Sequence, residues 1–511
     1  MSSHLGQWKT IGPKFNALPV HTALLHTGKV LAFGGSGNEP GRLNNWYEPE
    51  IYEPDYTGST DGTIRKISND GIEGDLFCVG HAYLPDGKLF LAGGTYLYDG
   101  LGIVTAPFPP FWGLDHTYTF DPDTEKFTRL PNMRYGRWYP TCVTMGDGKI
   151  ATFAGLSKWP PWVWQPVNEI YDEQNNSWQK IEGGNNLMPL YPRMHLLPNG
   201  DLFYAGSYNT HMTFPFSRWG FKIATFSFVE KKWKHLEHPK DMHRQEGSTV
   251  LLPLVKSKNY LAEVILIGGG DMNAHATRTC EKISFKSGTK QKYIPTKSMD
   301  NDRYYVYPVI LPDRNILVVG GKSGHNSHSI KHKCEEIAPE EIKHNDKAIL
   351  DTELYNTETE EWSKLEPMKV DRLYHANAIL LPDGKVMTMG SNPTRKCVEK
   401  RIEIFSPPYL FAGDRPVIDD VKSVLKYEES FEIQMHDGTE ILDTALIRPS
   451  NTTHCLNPEQ RYIEIDTVQN GDKISSKIPK NENLVPPGYY MLFVRNHSGV
   501  PCIAPFVRIT H

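Results

Sequence analysis

The stretch that decides the fold class is "DRLYHANAILLPDGKVMTMG", from Asp371 to Gly390. It contains two apolar runs joined by an Asp-Gly turn, which is a strong signal for a β-hairpin because glycine tolerates a positive φ. Tyr374 and His375 stand side by side just before the first run. Adjacent residues of a regular strand point to opposite faces. Either these two side chains serve opposite faces, or the backbone turns here and both serve one site.

A short apolar strand that ends in small residues recurs seven times along the chain. The copies are "KVLAFGG" at Lys29, "KLFLAGG" at Lys88, "KIATFAG" at Lys149, "DLFYAGS" at Asp201, "VILIGGG" at Val264, "ILVVGGK" at Ile316 and "KVMTMGS" at Lys385. A motif of two aromatic residues flanking a turn lies between several copies, at Phe120 to Met133, Tyr171 to Ile181, Phe228 to Leu236 and Tyr355 to Met368. Each unit therefore has four strands.

This pattern resembles the kelch repeat, and seven units predict a seven-bladed β-propeller. A β-sandwich with several Asp-Gly hairpins is the alternative, but the regular period of the glycine pairs favours the propeller. The propeller is expected to span residues 1–408. Residues 409–511 hold short alternating strands such as "SFEIQM" and "GYYMLFVRN", which suit an Ig-like sandwich. The predicted fold class is all-β.

Composition excludes some functions. The 511 residues include 55 basic and 60 acidic side chains, a net charge of -5, which argues against nucleic-acid binding. No apolar run approaches the roughly 18 residues of a membrane span. The start of the chain shows no signal-peptide pattern, so the compartment stays open: cytoplasmic, unless a leader has been removed. None of the seven cysteines forms a CxxC pair, which disfavours a zinc ribbon.

Three units share a methionine, an arginine four residues later and a tyrosine six residues later. These triplets are Met133, Arg137 and Tyr139; Met299, Arg303 and Tyr305; and Met368, Arg372 and Tyr374. Each tyrosine enters the strand that lines the axis of a propeller, so we expect tyrosines from distant parts of the sequence to converge. The structural alternative is that the repeat only maintains the fold.

Equivalent spacing brings further side chains to the same place. Cys78 lies eight residues before Asp86, and Tyr139 lies eight before Asp147, so the two are expected to be neighbours on adjacent blades. His375 lies eight and Tyr374 nine residues before a matching Asp383. That extra residue predicts a β-bulge that turns both side chains to the axis.

Two phenols and an imidazole at one point suggest Cu(II), which accepts mixed nitrogen and oxygen ligands. His454, in the turn-rich "RPSNTTHCLNPEQR", offers a second nitrogen from the C-terminal domain. Taken singly, Cys78 is more often a buried hydrophobe, and Tyr374 and His454 are more often structural. Their joint presence in this order is what favours a metal site.

The set of Cys78, Tyr139, Tyr374, His375 and His454, with the late "LVPPGYYMLFVRNHSGVP", resembles the galactose oxidase and glyoxal oxidase family of copper-radical oxidases. The resemblance covers Leu18 to Thr510. No counterpart of the carbohydrate-binding domain that precedes the propeller in galactose oxidase is expected in this chain.

The resemblance implies a role for each residue. Cys78 would be joined by a thioether to Tyr139, and the pair would hold a protein radical. Tyr374 would be the axial copper ligand and take the proton of the substrate hydroxyl, while His375 and His454 would be equatorial ligands. With one copper per chain, the enzyme would oxidise a primary alcohol, such as a sugar, or a hydrated aldehyde, and reduce dioxygen to hydrogen peroxide.

One departure concerns the tryptophan that stacks on the cross-linked tyrosine in galactose oxidase. Ser157 aligns with it here, and Trp159, Trp162 and Trp164 are the nearby candidates.

The predicted substrate-binding residues are Tyr305 by its repeat position, Arg193 by analogous placement, and Trp159. The expected partners are a small alcohol or aldehyde and dioxygen, with the chain a monomer. The alternative functions are a non-catalytic kelch propeller that binds a protein or glycan, and a mononuclear copper protein without the cross-link.

Overall fold

The computed structural model describes residues 3–511 except 38, 99–110, 159–163, 208–221, 242–243, 271–274, 325–347 and 393–397. Within this part of the chain the structure is all-β, as predicted, and contains no α-helix. Single 3₁₀ turns occur at Ser3–Leu5, Pro40–Arg42, Lys256–Lys258 and Pro408–Phe411. None of the described helical segments is long and apolar enough to cross a membrane.

Seven antiparallel sheets follow the repeated units along the described residues, and we number them 1 to 7. Sheet 1 contains His21–Leu24, Val30–Phe33, Glu50–Glu53, Thr63–Lys66 and Asn451–Thr453. Sheet 2 contains Asp75–Tyr83, Leu89–Tyr98, Phe111–Gly113, Thr117–Asp121 and Lys126–Leu130. Sheet 3 contains Thr141–Thr144, Ile150–Phe153, Glu169–Asp172 and Ser177–Lys180. Sheet 4 contains Met194–Leu196, Leu202–Tyr204, Ala224–Ser227 and Lys232–His235. Sheet 5 contains Ser248–Leu251, Glu263–Ile267, Cys280–Ser284 and Tyr293–Thr296. Sheet 6 contains Tyr307–Ile310, Ile316–Val319, Thr352–Tyr355 and Trp362–Leu365. Sheet 7 contains Asn377–Leu380, Val386–Met389, Arg401–Ser406 and Gln7–Lys14.

Two sheets recruit a strand from a remote part of the chain. In sheet 7, Gln7–Lys14 pairs antiparallel with Arg401–Ser406, which joins the start of the chain to its seventh unit. In sheet 1, Asn451–Thr453 pairs antiparallel with His21–Leu24. The C-terminal part of the chain therefore contributes backbone hydrogen bonds to the first unit.

Two further sheets follow Pro408–Phe411. Sheet 8 contains Ile418–Val421, Ser430–Met435, Lys473–Lys477 and Val468–Asn470. Sheet 9 contains Val424–Lys426, Phe506–Thr510, Gly488–Asn496, Ile441–Ile447 and Tyr462–Ile465. Val424–Lys426 runs parallel to Phe506–Thr510, and the other strands of sheet 9 are antiparallel.

The Asp-Gly turns form hairpins as predicted. The carboxylate of Asp383 accepts the N–H of Lys385 at 3.1 Å, and Asp86 accepts that of Lys88 at 3.0 Å. Gly384, between Asp383 and Lys385, has a φ of 75°, a backbone conformation that glycine adopts without steric cost. The aspartate and the glycine together fix the register of the two buried strands that follow and precede the turn.

Burial falls from the inner strands to the outer ones. The second strands Ile150–Phe153 of sheet 3 and Val386–Met389 of sheet 7 are buried at every position. The fourth strand of sheet 3, Ser177–Lys180, is half-buried or exposed throughout. Tyr171 faces Trp178 across the outer hairpin of this sheet, with ring centroids 5.4 Å apart.

In sheet 4 the aromatic pair is shifted from the predicted position. Trp233 faces Phe226, not Phe228, because the turn between the outer strands is two residues longer than the motif suggested.

The repeated arginine is a buried structural residue. Arg137 pairs with Glu169 at 2.7 Å and Arg303 with Glu353 at 2.5 Å, whereas Arg372 lies 3.7 Å from Glu403. Arg244, which precedes the inner strand of sheet 5 outside the predicted repeat, pairs with Glu281 at 2.7 Å in the same way. Each pair lies within one unit, between the segment that enters the inner strand and the third strand. The carboxylates also accept backbone N–H groups, as Glu353 does from Asp300 at 2.6 Å. Full pairing is what makes such a charge tolerable in the interior.

We expect Arg303→Met to destabilise the protein by about 3–5 kcal/mol, because it leaves the Glu353 carboxylate buried without its cation. Urea unfolding measures the shift of the midpoint. The matched control is Lys290→Met, since the ion pair of Lys290 with Glu237 is solvent-exposed and should shift the midpoint little. Equal shifts in the two variants would show that the buried pairs do not hold the sheets.

Candidate metal centre

Six sheets place a non-glycine residue with a positive φ near the start of their inner strand, within the strand in sheet 2 and two or three residues before it in sheets 3 to 7. These ring residues, from sheets 2 to 7 in order, are Cys78 (63°), Tyr139 (63°), Tyr191 (44°), Glu246 (56°), Tyr305 (61°) and His375 (61°). A left-handed backbone costs an L-residue roughly 1–2 kcal/mol. Its repetition at one place indicates a conformation that the surrounding structure enforces, and such positions cluster at functional sites.

Backbone hydrogen bonds link neighbouring ring residues. The N–H of Tyr139 donates to the carbonyl of Cys78 at 3.0 Å, and that of Tyr191 donates to Tyr139 at 2.9 Å. The N–H of Tyr305 donates to the carbonyl of Glu246 at 2.9 Å. Adjacent sheets are thus joined at the point where their ring side chains emerge.

Tyr374 and His375 serve one site because the backbone turns at His375. The inner strand begins only at Asn377, and the positive φ of His375 lies in a turn before it. The predicted β-bulge is therefore wrong in form, although its predicted consequence holds. The two rings stack with centroids 3.8 Å apart, so both side chains lie on the same side of the chain.

His454 comes from the strand that the C-terminal region adds to sheet 1. It directly follows Asn451–Thr453 and has a φ of 49°. The N–H of Leu456 closes a tight turn onto the last carbonyl of that strand at 2.7 Å. The guanidinium of Arg193 donates to the carbonyl of His454 at 2.8 Å. Sheet pairing, turn and arginine together fix the direction of the imidazole.

The five predicted side chains lie in one buried cluster. The hydroxyl of Tyr139 is 2.7 Å from that of Tyr374 and 2.9 Å from Nε2 of His454. The thiol of Cys78 interacts electrostatically with Tyr139, and its Sγ is 3.9 Å from Nε2 of His454. The rings of His375 and His454 are 4.4 Å apart, edge to face. Residues separated by up to 376 positions in sequence are thus brought into contact.

Hydrogen bonds on the far side of each imidazole set its tautomer. The Thr453 hydroxyl donates to the carbonyl of Val20 at 3.0 Å, so it accepts from Nδ1 of His454 at 2.5 Å. Nδ1 of His375 is 2.5 Å from the amide oxygen of Asn392, which can only accept. Both histidines therefore carry their proton on Nδ1. Each Nε2 is left with a lone pair, the form in which imidazole binds metals.

The donor set fits a copper ion. Among the described residues, no three His, Cys, Asp or Glu side chains lie close enough to hold a metal, so a metal here depends on the phenol oxygens. Two imidazole nitrogens and the oxygens of Tyr139 and Tyr374 form a set that suits Cu(II). Burial raises the pKa of both phenols well above the ordinary value. A divalent cation among them favours the phenolate form and counters that effect.

The predicted substrate-binding residues have different surroundings. Tyr305 is a ring residue whose ring lies 5.5 Å from that of Tyr374. Arg193 is fully buried and donates to the carbonyls of Tyr191, Gly247 and His454, which ties it to the backbone of the site. Its role in substrate binding stays a prediction. Trp159 and Trp162 lie outside the described residues.

Two aromatic residues that the sequence argument missed lie against the ring of Tyr139. The Trp138 ring is 4.0 Å away and tilted by 60°, and the Tyr191 ring is 4.5 Å away. The hydroxyl of Tyr191 donates to the carbonyl of Val79 at 2.8 Å, which fixes its orientation. Tyr191 lies eight residues before Asn199, the same spacing that identified Tyr139. That signal was available in the sequence.

Another missed residue supports the cysteine. Nε2 of His21 accepts the backbone N–H of Cys78 at 3.1 Å, and its Nδ1 is 3.2 Å from Nε2 of His81. Burial lowers the pKa of both histidines, that of His81 to about 3, so the pair is neutral. This pair holds the backbone of Cys78 in its left-handed conformation.

We expect Asn392→Ala to weaken Cu(II) binding by about 10- to 100-fold, because the His375 imidazole loses the partner that orients it. Titration with Cu(II) against a competing chelator gives the affinity. Asn175→Ala, which removes a hydrogen bond in an exposed outer turn, is the control. Equal affinities in Asn392→Ala and the unchanged protein would place copper away from His375.

Comparison with known proteins agrees with this geometry. The profile of the glyoxal oxidase N-terminus matches residues 58–409, and that of the galactose oxidase-like early set domain matches residues 415–509. The aldehyde oxidase GLOX of Vitis pseudoreticulata is 26% identical over 99% of this chain and 97% of its own length. Galactose oxidase of Gibberella zeae is 24% identical over 99% of this chain and 71% of its own length.

Among solved structures, a fungal alcohol oxidase in complex with copper superposes with a TM-score of 0.79. It is 22% identical, and the match covers 99% of this chain and all of that one. The similarity thus extends over the fold from end to end. Since the family profile alone spans more than half of the sequence, this chain belongs to the glyoxal oxidase and galactose oxidase family.

Proposed function

We propose that this protein is a copper-radical oxidase that oxidises a primary alcohol or a hydrated aldehyde and reduces dioxygen to hydrogen peroxide. The observation that carries the proposal is the cluster in which the Tyr139 hydroxyl contacts both Tyr374 and His454 while the Cys78 thiol lies 3.9 Å from the same His454 nitrogen and packs in one cluster with Tyr139. A structural cluster has no need of two phenols, a thiol and two oriented imidazoles at one point. The family membership supports the same chemistry.

The seven sheets would be the seven blades of a kelch-type propeller spanning residues 1–408. Sheets 8 and 9 would form an Ig-like domain of residues 409–511 that lends His454 to the propeller. The strand shared between sheet 1 and the C-terminal region supports this arrangement, as does the completion of sheet 7 by the first strand. Sheet 7 and sheet 1 would each be completed by a strand from a remote part of the chain.

The proposed ligands are Tyr139, Tyr374, His375 and His454, with one copper per chain. Copper, when bound, supplies a one-electron redox couple and a Lewis acid for the substrate oxygen. Cys78 and Tyr139 would be joined by a thioether and hold the second electron-accepting centre as a radical on the ring. Trp138 and Tyr191 cover that ring and keep water from it.

Two tyrosines would each accept one hydrogen of the substrate, one as a proton and one as a hydrogen atom. Tyr374 accepts the hydroxyl proton, and Tyr139 takes a hydrogen atom from the carbon. The hydrogen atom carries one electron, and the one-electron couple supplied by copper would take the other. The substrate thus loses two electrons and two protons in total, and dioxygen takes up the same number to become hydrogen peroxide. Tyr305, Arg193 and Trp159 remain the proposed substrate-binding residues. The partners are the substrate and dioxygen, and we propose a monomer.

Loading the protein with copper in air should remove two hydrogen atoms from its intact mass, because a thioether replaces the S–H of Cys78 and one ring C–H of Tyr139. Mass spectrometry of the intact protein measures this change. The Cys78→Ser variant should keep its mass under the same treatment. If the unchanged protein retains a free Cys78 thiol after copper loading, the radical proposal is wrong and a non-catalytic kelch module becomes the better account.

Tyr374→Phe should lower kcat by about 10²- to 10⁴-fold, the usual contribution of a general base, while the thioether still forms. A peroxidase-coupled assay over a panel of alcohols and aldehydes gives the rates. Phe405→Tyr, which changes an aromatic ring packed between the outer strands of sheet 7, serves as a control for the substitution of a buried ring. Unimpaired turnover in Tyr374→Phe would remove Tyr374 from the mechanism.

A further inference from the structure

Glu246 is the one acidic ring residue. It lies two residues before Ser248–Leu251 with a φ of 56°, as Tyr305 lies two residues before Tyr307–Ile310. Its carbonyl accepts the N–H of Tyr305, the same link that joins Cys78 to Tyr139 and Tyr139 to Tyr191. Sheet 5 therefore presents a carboxyl group where other sheets present the proposed metal ligands and the cross-linked pair. The carboxyl group acts electrostatically on Tyr374 and Tyr305.

The carboxyl group is not used by the rest of the structure. Glu246 is fully buried, and among the described residues neither of its oxygens has a hydrogen-bond partner. Arg193 is the cation that acts on it, but the Arg193 guanidinium donates to three backbone carbonyls and forms no ion pair with it in the described structure. Glu281 and Glu353, by contrast, are each paired with an arginine and a backbone N–H.

Such a group is costly to retain. A buried polar group without a partner costs about 1–3 kcal/mol, and more if it is charged. Burial raises the pKa of Glu246 to about 8, so at neutral pH it is largely protonated and can both donate and accept. Buried unsatisfied groups in native proteins call for an explanation, and a ligand that completes the hydrogen bonds is one.

Solvent exposure shows from which side a ligand reaches the ring. Cys78, His375 and His454 are completely buried, whereas Tyr305 keeps 4% and Tyr374 keeps 8% of its surface exposed. The open side of the ring is thus formed by sheets 6 and 7, next to Glu246 on sheet 5. Tyr305 alone separates Glu246 from this open side: its N–H donates to the carbonyl of Glu246 at 2.9 Å, and its ring lies 5.5 Å from that of Tyr374.

We propose that Glu246 is a specificity-determining residue that hydrogen-bonds a second hydroxyl group of the alcohol, so that the substrates are polyols rather than simple aliphatic alcohols. The inference rests on the proposed oxidase function. A carboxyl group and a hydroxyl group exchange donor and acceptor roles, so the pair satisfies both. An alcohol without the second hydroxyl leaves Glu246 unsatisfied, which is the basis on which polar sites reject the deoxy analogue.

The test compares glycerol with 1-propanol as substrates of the copper-loaded enzyme. We expect the unchanged protein to prefer glycerol, and Glu246→Leu to lower kcat/KM for glycerol by at least about tenfold, the equivalent of one lost hydrogen bond. The value for 1-propanol should stay the same or rise. Glu246→Gln, which keeps a donor and an acceptor, should retain most of the preference. Glu230→Leu, an exposed substitution, is the control and should change neither value.

An equal loss of kcat/KM for glycerol and for 1-propanol in Glu246→Leu would overturn the inference. So would the absence of a preference for glycerol in the unchanged protein. Copper content and thioether mass are measured on each variant, so that damage to the metal centre is recognised separately. Retained preference in Glu246→Leu would overturn it as well.

A binding measurement under nitrogen keeps the test independent of turnover. Glycerol stabilises folded proteins nonspecifically, so the readout is the difference in thermal midpoint shift between the unchanged copper-loaded protein and Glu246→Leu. A larger shift in the unchanged protein supports the role of Glu246, and equal shifts contradict it. If no alcohol is oxidised and no thioether forms, the oxidase function itself fails, and this binding arm still decides about Glu246.

Discussion

Side chains from six sheets reach one point because the backbone at the entrance of each inner strand is left-handed. Every one of these residues carries a Cβ atom, so each position costs energy that the neighbouring sheets must offset. They do so with hydrogen bonds between successive ring residues and, at Cys78, with the imidazole of His21. The scaffold at this level is repeated, whereas the side chain it presents differs from sheet to sheet. Two proposed metal ligands, the proposed cross-linking thiol and a free carboxyl group therefore share one backbone conformation.

His454, a further proposed ligand, has a different origin. Among the residues that the structure describes, sheet 1 has no ring residue of its own, and the strand Asn451–Thr453, which pairs with the inner strand of sheet 1, leads directly into His454. The imidazole is held by Thr453, and its carbonyl is held by Arg193 of sheet 4. Because the proposed metal centre includes His454, a metal that binds the assembled site would also stabilise the docking of the C-terminal region. On this proposal, copper loading and the packing of the last hundred residues are thermodynamically linked.

Much of this could be predicted from the sequence, for physical reasons. Asp-Gly turns and alternating apolar strands encode hairpins locally, and their regular period encodes the repeated sheets. The spacing from each turn also located Cys78, Tyr139 and His375, because a repeated fold converts equal spacing into equal position. The resemblance to a known family then linked His454 to the same site. The β-bulge proposed for Tyr374 and His375 was wrong, since spacing alone does not distinguish a bulge from a turn that precedes the strand.

The supporting residues were harder to predict. Glu246 was missed because the turn of sheet 5 is longer than the others, which hides the repeated spacing. Asn392, Thr453 and His21 hold their partners through contacts that exist only in three dimensions, and nothing in their local sequence distinguishes them. A tyrosine such as Tyr191 carries the right spacing, but packing is its usual role in a sheet protein. Spacing identifies a position, while only the contacts reveal its use.

The most direct measurement is a crystal structure of the protein loaded with copper in air, with anomalous scattering recorded at the copper edge. The account predicts a single copper peak bound by the oxygens of Tyr139 and Tyr374 and by Nε2 of His375 and His454. It also predicts continuous electron density between Sγ of Cys78 and the ring of Tyr139. Copper bound elsewhere, or a Cys78 sulfur separate from that ring in the loaded protein, would contradict it.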